Sequence, residues 1–407
     1  MTDSNDLRGL FPAISSGDAG AYLDNAATTQ APDPVLAAMA GFERMGRANV
    51  KRGIYPLAAR ATDAFEDARA SVARYLSAAD KDEVVFTSGA TAAINLVAHA
   101  FGESLEKDDE IIIGEGEHHA NIVPWQMLRD RKGVELVVLP VDGDGHLQLE
   151  KLPNLITERT RLIAVTHASN VTGAVSDVRV ITAMARKRGI RELVDGAQRA
   201  AHGLLDMQSL GCDFYVLSGH KMFGPTGIGA LWARKEILEE MPPFLGGGEM
   251  IQRVTFRKTT FAPPPHRFEA GTPPVTQAIG LGAAADWLMG LDWPAITARE
   301  RTLAQAMLEV LRRHGRIKVW EPAGFEGGRV PRLPILSFTV DGAHPHDICQ
   351  LMGAEGVSLR GGHHCAQPLM DRLGAEATTR ASIALYNDQA DIDAFARALE
   401  KTLKVLA

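Results

Sequence analysis

Lys221 follows an apolar run in the segment SGHKMFGPTGIG, and its position constrains the fold more than any other feature of the chain. The segment places a lysine beside a histidine, hydroxyl groups and a glycine-rich turn, just past a predicted buried strand. A lysine in this setting can form a Schiff base with an aldehyde cofactor while its neighbours bind a phosphate. The alternative, a lysine at a solvated loop tip, is disfavoured because the segments DGAQ and GHHC complete a site for such a cofactor.

Short apolar runs alternate with amphipathic helical stretches through the middle of the chain. The runs are EIIIGE, VELVVLP, RLIAVTHAS, RELVDGA and CDFYVLSG. Strand–helix–strand repetition with nearly continuous apolar strands predicts an α/β fold with a mostly parallel sheet covered on both faces. Such sheets bind ligands beyond the carboxyl ends of their strands. The candidate chemical residues fall at those ends: His118, Asn170, Asp195 and Lys221.

The length of 407 residues exceeds the usual size of one hydrophobic core and predicts two domains. From about Thr297 the pattern changes to a long helix, two strands, a helix, the GGHHC loop, a strand and a final helix. We predict a large domain over 18–285 and a smaller α+β domain formed by 1–17 and 286–407. The final helix has an apolar face, which consists of Ile392, Phe395, Leu399, Leu403 and Leu406. FLGGGEM and FAPPPHRFEAGTPP are interpreted as loops that could reach a neighbouring subunit.

Charge and composition exclude several classes of protein. The net charge of -7 argues against a general nucleic-acid or anionic-membrane binder. No stretch is long and apolar enough to span a bilayer, and the N-terminus does not resemble a secretion signal, so we predict a cytoplasmic location. Three cysteines do not suggest a disulfide framework, and Cys212 and Cys349 are predicted to pack in the core.

The segment VVFTSGATAAINLVAHAF predicts a strand, a tight turn and a helix, with residues 88–92 at the turn and the helix start. Free N–H groups and the helix dipole at such a turn suit a phosphate, and Thr91 can add a hydroxyl. An ordinary helix cap explains the segment equally simply.

Three further segments supply groups for a cofactor ring. Asp195, at the end of RELVD, could accept a hydrogen bond from a pyridinium nitrogen, or could cap a helix. Gln198 could reach the ring hydroxyl, and one histidine of EHHANIVPW could stack on the ring. Asn170 in THASNVTGA could bind the ring hydroxyl or a substrate carboxylate.

Cys365 follows two glycines and two histidines in RGGHHCAQPLM, with Arg360 close by. Cationic neighbours favour the thiolate form of a cysteine, and a mobile loop would let it swing towards a bound substrate. A zinc site is the main alternative, but adjacent positions seldom converge on one ion and no second ligand pair is present, so no metal is predicted. Arg380 in TTRASIALYN would suit a substrate carboxylate, or could form a surface ion pair.

Together these segments resemble the group II (SUF-type) cysteine desulfurases of the class V aminotransferase family, which have the pyridoxal-phosphate (PLP) fold type I. The resemblance covers nearly the whole chain, from AYLDNAATTQAP to RASIALYN. SGHK with GPTGIG, and the loop ending GHHCAQPL, are specific to the group, whereas the other motifs are shared more widely.

The resemblance implies pyridoxal 5'-phosphate as the cofactor, held by Lys221. It implies that His118 stacks on the ring, Asp195 pairs with the pyridine nitrogen and Gln198 with the ring oxygen. The implied phosphate ligands are Ala90, Thr91, Ser218 and His220, with Thr272 contributed to the other subunit of a homodimer. The implied substrate ligands are Asn170 and Arg380, with Arg360 near the loop.

The activity implied by the resemblance is conversion of L-cysteine to L-alanine. Lys221 would remove the α-proton, Cys365 would take the sulfur as a persulfide, and an acceptor protein would receive it, with iron–sulfur cluster assembly as the expected pathway. A selenocysteine or cysteine-sulfinate lyase is the nearest alternative, since the thiol is less necessary for those substrates. A class V aminotransferase would need a keto-acid acceptor and no loop thiol. A catalytically silent dimeric scaffold is disfavoured by the intact Lys221, Asp195 and Cys365.

Two segments depart from the family pattern. Many members have His-Arg-Gly-x-His where this chain has Lys51-Arg52-Gly53-Ile54-Tyr55, and threonine is common at the position of Gly361. We expect these changes to affect substrate preference, loop mobility or the partner surface rather than the cofactor or the nucleophile.

Overall fold

The computed structural model describes residues 7–320 and 332–406. The strands are β1 (Ala21–Tyr22), β2 (Val84–Thr87), β3 (Glu110–Gly114), β4 (Glu135–Leu139), β5 (Thr160–Thr166), β6 (Arg191–Asp195), β7 (Phe214–Ser218), β8 (Gly229–Ala233), β9 (Ile251–Val254), β10 (Thr259–Phe261), β11 (Ile317–Trp320), β12 (Ile335–Val340), β13 (Val357–Ser358), β14 (Arg360–Gly362) and β15 (Thr378–Ser382). The α-helices are α1 (Pro12–Ser15), α2 (Asp33–Met45), α3 (Pro56–Tyr75), α4 (Ala90–Ala100), α5 (Val123–Lys132), α6 (Leu152–Leu155), α7 (Val178–Arg186), α8 (Met207–Leu210), α9 (Lys235–Glu240), α10 (Val275–Met289), α11 (Trp293–Arg312), α12 (Pro345–Ala354), α13 (Gln367–Leu373) and α14 (Gln389–Val405). Within the described ranges, no helix has both the length and the apolar character needed to cross a membrane.

A seven-stranded sheet with the order β2-β8-β7-β6-β5-β3-β4 is the centre of the larger unit. The neighbours from β7 to β4 pair in parallel, whereas β8 lies antiparallel to both β7 and β2. Every residue of β3, β7 and β8 is buried. The prediction of a mostly parallel central sheet is therefore confirmed, and β8 is a strand that the sequence interpretation did not identify.

Successive residues of β7 enter two hydrophobic clusters, one on each face of the sheet. Tyr215 and Leu217 pack with α3 and α10, whereas Phe214 and Val216 pack with α4 and α5. Alternate residues of a strand point to opposite faces, so a strand covered on both sides must be apolar throughout. This double burial explains why CDFYVLSG is a continuous apolar run.

The carboxyl ends of β2 and β7 lie at the same edge of the sheet. Both strands are antiparallel to β8, and Thr87 and Ser218 both pair with Gly229. A side chain at Gly229 would clash, because its Cβ would lie 2.6 Å from the Cα of Gly89. Glycine at this position lets the turn that begins α4 approach the chain segment that follows β7.

A second sheet, with the order β11-β12-β15-β14, forms the smaller unit and is antiparallel throughout. Helices α11, α12 and α14 pack on it, and the rings of Phe338 and Phe395 meet edge to face at 6.3 Å. The predicted α+β character of this region is confirmed. Of the predicted apolar face of α14, Ile392, Phe395 and Leu399 are buried, while Leu403 and Leu406 are partly buried. The start of the predicted GGHHC loop is instead the edge strand β14.

The beginning of the described chain contacts both units. Phe11 packs against Phe223 and Tyr386 in a cluster that includes one face of the central sheet. By contrast, β1 pairs with β13, and Leu23 packs in the cluster of the smaller unit. The division into 18–285 and 1–17 with 286–407 stays a prediction.

A buried ion pair joins α3 to the loop before α10. Arg69 donates to the two carboxylate oxygens of Glu269 at 2.6 and 2.9 Å. The same carboxylate accepts the backbone N–H of Phe86, in β2, at 2.8 Å. Burial alone would raise the pKa of Glu269, but the charge of Arg69, the hydrogen bonds from His266 and Arg69, and the charge of Lys51 together lower the pKa to about 2. One carboxylate therefore ties a helix, a strand and a loop together.

Replacing Arg69 should be costly, because the buried Glu269 would lose its two-bond partner and keep the longer 3.7 Å contact with Lys51. We expect Arg69→Met to lower the free energy of unfolding by about 3–5 kcal/mol at neutral pH. The matched control is Arg74→Met, which removes an exposed arginine paired with Asp286 at 2.9 Å and should cost less than about 1 kcal/mol. Denaturant unfolding measures both losses, and equal losses would contradict the prediction.

The Glu269 carboxylate should also make stability depend on acidity. Its folded pKa of about 2 lies below the ordinary glutamate value of about 4.3, so the unfolded chain takes up the proton first as the pH falls. The stabilisation is fully present above the unfolded pKa and should be lost between about pH 5 and pH 2. Denaturant unfolding over this range should show a smaller loss for Arg69→Met than for the natural chain. A loss of the same size in both proteins would assign the acid sensitivity to other groups.

Candidate active site

A cavity of about 240 Å³ lies at the carboxyl ends of the central strands. It brings together twelve of the predicted site residues: Ala90, Thr91, His118, Asn170, Asp195, Gln198, Ser218, His220, Lys221, Arg360, Cys365 and Arg380. Thr272 is exposed and does not line this cavity. A larger cavity of about 980 Å³, lined by residues of α7 and α11, contains none of the predicted site residues.

Lys221 is the last residue of the short turn that follows β7, and it lines the cavity. Burial lowers the pKa of its amine, and Arg380 and Arg360 lower it further, while Asp195 acts in the opposite direction. A lowered pKa increases the fraction of neutral amine, which is the form that can act as a nucleophile or base.

Asp195 is the last residue of β6 and is buried. One carboxylate oxygen, Oδ1, accepts the N–H of Ala197 at 3.0 Å, which leaves Oδ2 for another donor. Burial raises the pKa of Asp195, while the Ala197 hydrogen bond and Lys221 lower it. The Gln198 side chain donates to the carbonyl of Ala26 at 2.8 Å, so its amide oxygen is the group that could bind a ligand.

His118 lies after β3, and its orientation is fixed by a local hydrogen bond. Its Nδ1 accepts the N–H of Ala120 at 3.0 Å, so the neutral ring carries its proton on Nε2. Burial, and to a lesser extent the nearby Lys221, lower the pKa of His118 to about 4. The ring is therefore uncharged at neutral pH and can pack flat against an aromatic ligand.

The turn before α4 presents free N–H groups to the cavity. Gly89, with φ of 144°, precedes the helix and offers no side-chain cap. The N–H of Ala90 donates to Ser218 Oγ at 2.9 Å. The N–H groups of Thr91 and Ala92 belong to the first helical turn, where the helix itself supplies no acceptor. Such an end suits an anion.

Three contacts hold the segment that contains Cys365. Asn170 Nδ2 donates to the carbonyl of His364 at 2.7 Å, and the N–H of His119 donates to the carbonyl of Cys365 at 2.7 Å. The His364 ring lies 2.9 Å from Thr378 Oγ1. The segment is therefore anchored on both sides of the thiol, while Cys365 itself is exposed; the predicted mobility of this loop stays a prediction.

Two arginines approach one carboxylate at the rim of the cavity. Arg380 is buried and donates to Asp24 Oδ1 at 3.1 Å and to the carbonyl of Asn170 at 2.9 Å. The exposed Arg360 lies 3.8 Å from Asp24 Oδ2. The Nε of Arg380 has no hydrogen-bond partner. Sequence interpretation missed Asp24, although its segment AYLDNAATT was noted, because a separation of 356 residues between Asp24 and Arg380 gave no sign of contact.

Comparison with known proteins identifies the family. Residues 21–395 match the family described as aminotransferase class-V. The chain belongs to the class V aminotransferase family.

Relatives within this family have similar length and fold. The chain is 45% identical over 405 residues to a cysteine desulfurase of Salmonella agona, and 43% identical over 404 residues to a probable cysteine desulfurase of Halalkalibacterium halodurans; in both cases 98% of each chain is covered. Among solved structures, it is similar to the cysteine desulfurase CsdA of Escherichia coli in its S-sulfonic acid form, with 39% identity, a TM-score of 0.92 and 100% of each chain covered. The apo cysteine desulfurase of Thermococcus onnurineus NA1 has 34% identity and a TM-score of 0.94, with 100% of this chain and 99% of that chain covered. The fold of PLP type I enzymes is confirmed.

The class V aminotransferase family depends on pyridoxal phosphate, and the cavity has the chemistry that this cofactor requires. It offers an amine at Lys221, a buried carboxylate at Asp195 and a helix end that suits a phosphate at α4. The uncharged ring of His118 lines the same cavity and can cover an aromatic face. The residues present therefore fit the cofactor.

The two departures from the family pattern have structural explanations. Lys51 Nζ lies 2.9 Å from the ring of His266 and 3.7 Å from Glu269, so it extends the buried ion pair and does not line the cavity. Tyr55 is exposed. At Gly361 a Cβ would lie 3.0 Å from the carbonyl oxygen of Pro345, at the start of α12. The threonine common in the family would need α12 and β14 to move apart here.

We therefore expect Gly361→Thr to displace β14 from α12 and to lower the free energy of unfolding by about 1–3 kcal/mol, because the site is already filled. Amide exchange should become faster in β14. Gly353→Ala, in the same helix α12 and with open space around it, is the matched control and should be neutral or slightly stabilising. Thermal unfolding with hydrogen exchange tests this, and equal stability of the Gly361→Thr and natural proteins would contradict it.

Proposed function

We propose that the protein is a PLP-dependent cysteine desulfurase of group II (SUF-type), which converts L-cysteine to L-alanine and receives the sulfur on Cys365. The observation that carries this proposal is the presence of the Lys221 amine and the Cys365 thiol at one cavity. An aminotransferase needs only the amine. The printed names of the full-length relatives support the same activity.

We propose that Lys221 holds the cofactor and moves the substrate α-proton. Pyridoxal phosphate, when bound, supplies an electron sink for the carbon that loses this proton. Burial favours the neutral amine of Lys221, so it can accept a proton at neutral pH. Asp195 would hold the proton on the pyridine nitrogen, and Gln198 would bind the ring oxygen. The phosphate would occupy the end of α4, with Ala90, Thr91, Ser218 and His220 around it.

Arg380 is the proposed binding site for the substrate carboxylate. Its buried guanidinium is fixed from two sides, and its unpartnered Nε can donate to a ligand. A fixed fork of donors favours a planar carboxylate over other anions. Arg360 adds positive charge at the exposed rim, and Asn170 would contribute its amide from the opposite side. Together they would hold the substrate sulfur towards Cys365.

The sulfur transfer balances without an external oxidant. An S–S bond forms between Cys365 Sγ and the substrate sulfur, while the bond between the substrate sulfur and its Cβ breaks. The sum of the reaction is L-cysteine plus the Cys365 thiol giving L-alanine plus a Cys365 persulfide, with the hydrogens conserved. A sulfur-acceptor protein would then take the terminal sulfur, and iron–sulfur cluster assembly is the proposed destination.

We further propose that the protein acts as a homodimer located in the cytoplasm. Thr272 would bind the phosphate of the partner's cofactor, and its exposed position away from the cavity of its own chain supports this role. The exposed hairpin β9–β10, with Phe256 at its tip and fully exposed, supports contact with a second copy, because large exposed apolar groups often mark protein interfaces.

The test is alanine release from L-cysteine, with a reductant present, by the natural protein and by Cys365→Ala. We expect the variant to keep the cofactor absorbance and to lose at least about 99% of alanine release, because the sulfur acceptor is gone. Cys349→Ala is the matched control, since that thiol is half-buried and burial raises its pKa to about 11. Full activity of Cys365→Ala would reject the persulfide route and favour a selenocysteine or cysteine-sulfinate lyase.

A further inference from the structure

His119 contacts the Cys365 segment through both its backbone and its side chain. Its N–H donates to the carbonyl of Cys365 at 2.7 Å, and its Nε2 accepts the N–H of Gln367 at 3.1 Å. The two bonds lie on either side of Ala366, directly after the thiol. His119 is also the neighbour of His118, which lines the cofactor cavity.

The side-chain bond of His119 caps helix α13. This helix begins at Gln367, and the residue in the N-cap position is Ala366, which has no side chain able to accept a hydrogen bond. The first N–H groups of a helix need acceptors from elsewhere. At α14 the cap comes from the adjoining residue, Asp388. At α13 it comes from His119, which is 248 residues away in sequence.

The backbone around the thiol depends on such external contacts. His364 and Cys365 have φ angles of 54° and 56°. This left-handed region is unfavourable for residues with a side chain, and it persists where surrounding contacts impose it. The carbonyl of His364 is held by Asn170, and that of Cys365 by His119. Without the side-chain cap on α13, the hydrogen bond from His119 to the carbonyl of Cys365 would hold the segment less firmly.

We infer that His119 is a positioning residue, which fixes the Cys365 thiol relative to the cavity by capping α13 from a different part of the chain. The inference rests on the proposed role of Cys365 as the sulfur acceptor. His118 and His119 then divide two tasks between neighbouring positions: the first covers the cofactor cavity and the second fixes the thiol. Burial, followed by the charge of His363, lowers the pKa of His119, and the neutral ring keeps Nε2 available as an acceptor.

The experiment compares His119→Ala with His119→Gln, because the glutamine oxygen can accept a hydrogen bond near the position of Nε2. For His119→Ala we expect unchanged cofactor absorbance, a KM for L-cysteine within about twofold, and single-turnover formation of the Cys365 persulfide slowed about 10- to 100-fold. Amide exchange at Gln367 and Met370 should become at least about tenfold faster. His119→Gln should restore most of both properties.

Asp292→Ala is the matched control for loss of a helix cap. Asp292 caps α11 through the N–H of Ala295 at 3.2 Å, and no residue of α11 lines the cofactor cavity. This variant should lose stability without slowing persulfide formation. Unchanged exchange and persulfide rates in His119→Ala would overturn the inference, as would failure of His119→Gln to restore them.

The two proposals can fail separately. If the natural protein forms no persulfide on Cys365, the proposed function fails, while amide exchange still decides whether His119 holds the segment. If the natural protein forms the persulfide and His119→Ala forms it at the same rate with the same amide exchange, only the inference about His119 fails.

Discussion

The common direction of β2, β3, β5, β6 and β7 is the constraint on which the site depends. Each of these strands ends at the same edge of the sheet. Polar residues that follow different strands are therefore brought close together at this edge. The strands are mostly buried, and the site residues lie at their last positions, as Asp195 and Ser218 do, or just beyond them. The packed apolar strands form a framework that resists deformation. The short segments at the rim can be substituted one residue at a time without disturbing this framework.

The electrostatics of the rim favour anionic ligands. Arg360 and Arg380 bring two cationic side chains to one cavity, and the neighbouring His118 stays uncharged because its pKa is about 4. Burial also raises the pKa of Glu117 to about 8, although the hydrogen bond from Asn121 acts against this shift. This carboxyl group is thus largely protonated at neutral pH and adds little negative charge. A phosphate at the start of α4 and a carboxylate at Arg380 can therefore both find hydrogen-bond donors in this site.

The sequence allowed most strands of the two large sheets, several helices and the residues around the cavity to be predicted, because each depends on a local pattern. The apolar runs predicted β3 to β7, and the polar residues at the ends of these runs were identified as candidates for the site. Contacts between distant segments could not be predicted in this way. Asp24 meets Arg380 across 356 residues, and the amide of Asn170 is bonded to His364, a contact that the expected substrate role did not suggest. The edge strand β14 was interpreted as loop because two glycines hid its pairing with β15.

The carboxylate of Glu269 has a consequence for how two subunits would share cofactor binding. It holds the N–H of Phe86, three residues before Gly89 in the turn that begins α4, and it lies three residues before Thr272. With Thr272 serving the partner's cofactor as proposed, one buried group would support the phosphate site of its own chain and that of its neighbour. Damage to this group in one subunit would then weaken cofactor retention in both, so a mixed dimer would behave more like the defective parent than like an average of the two.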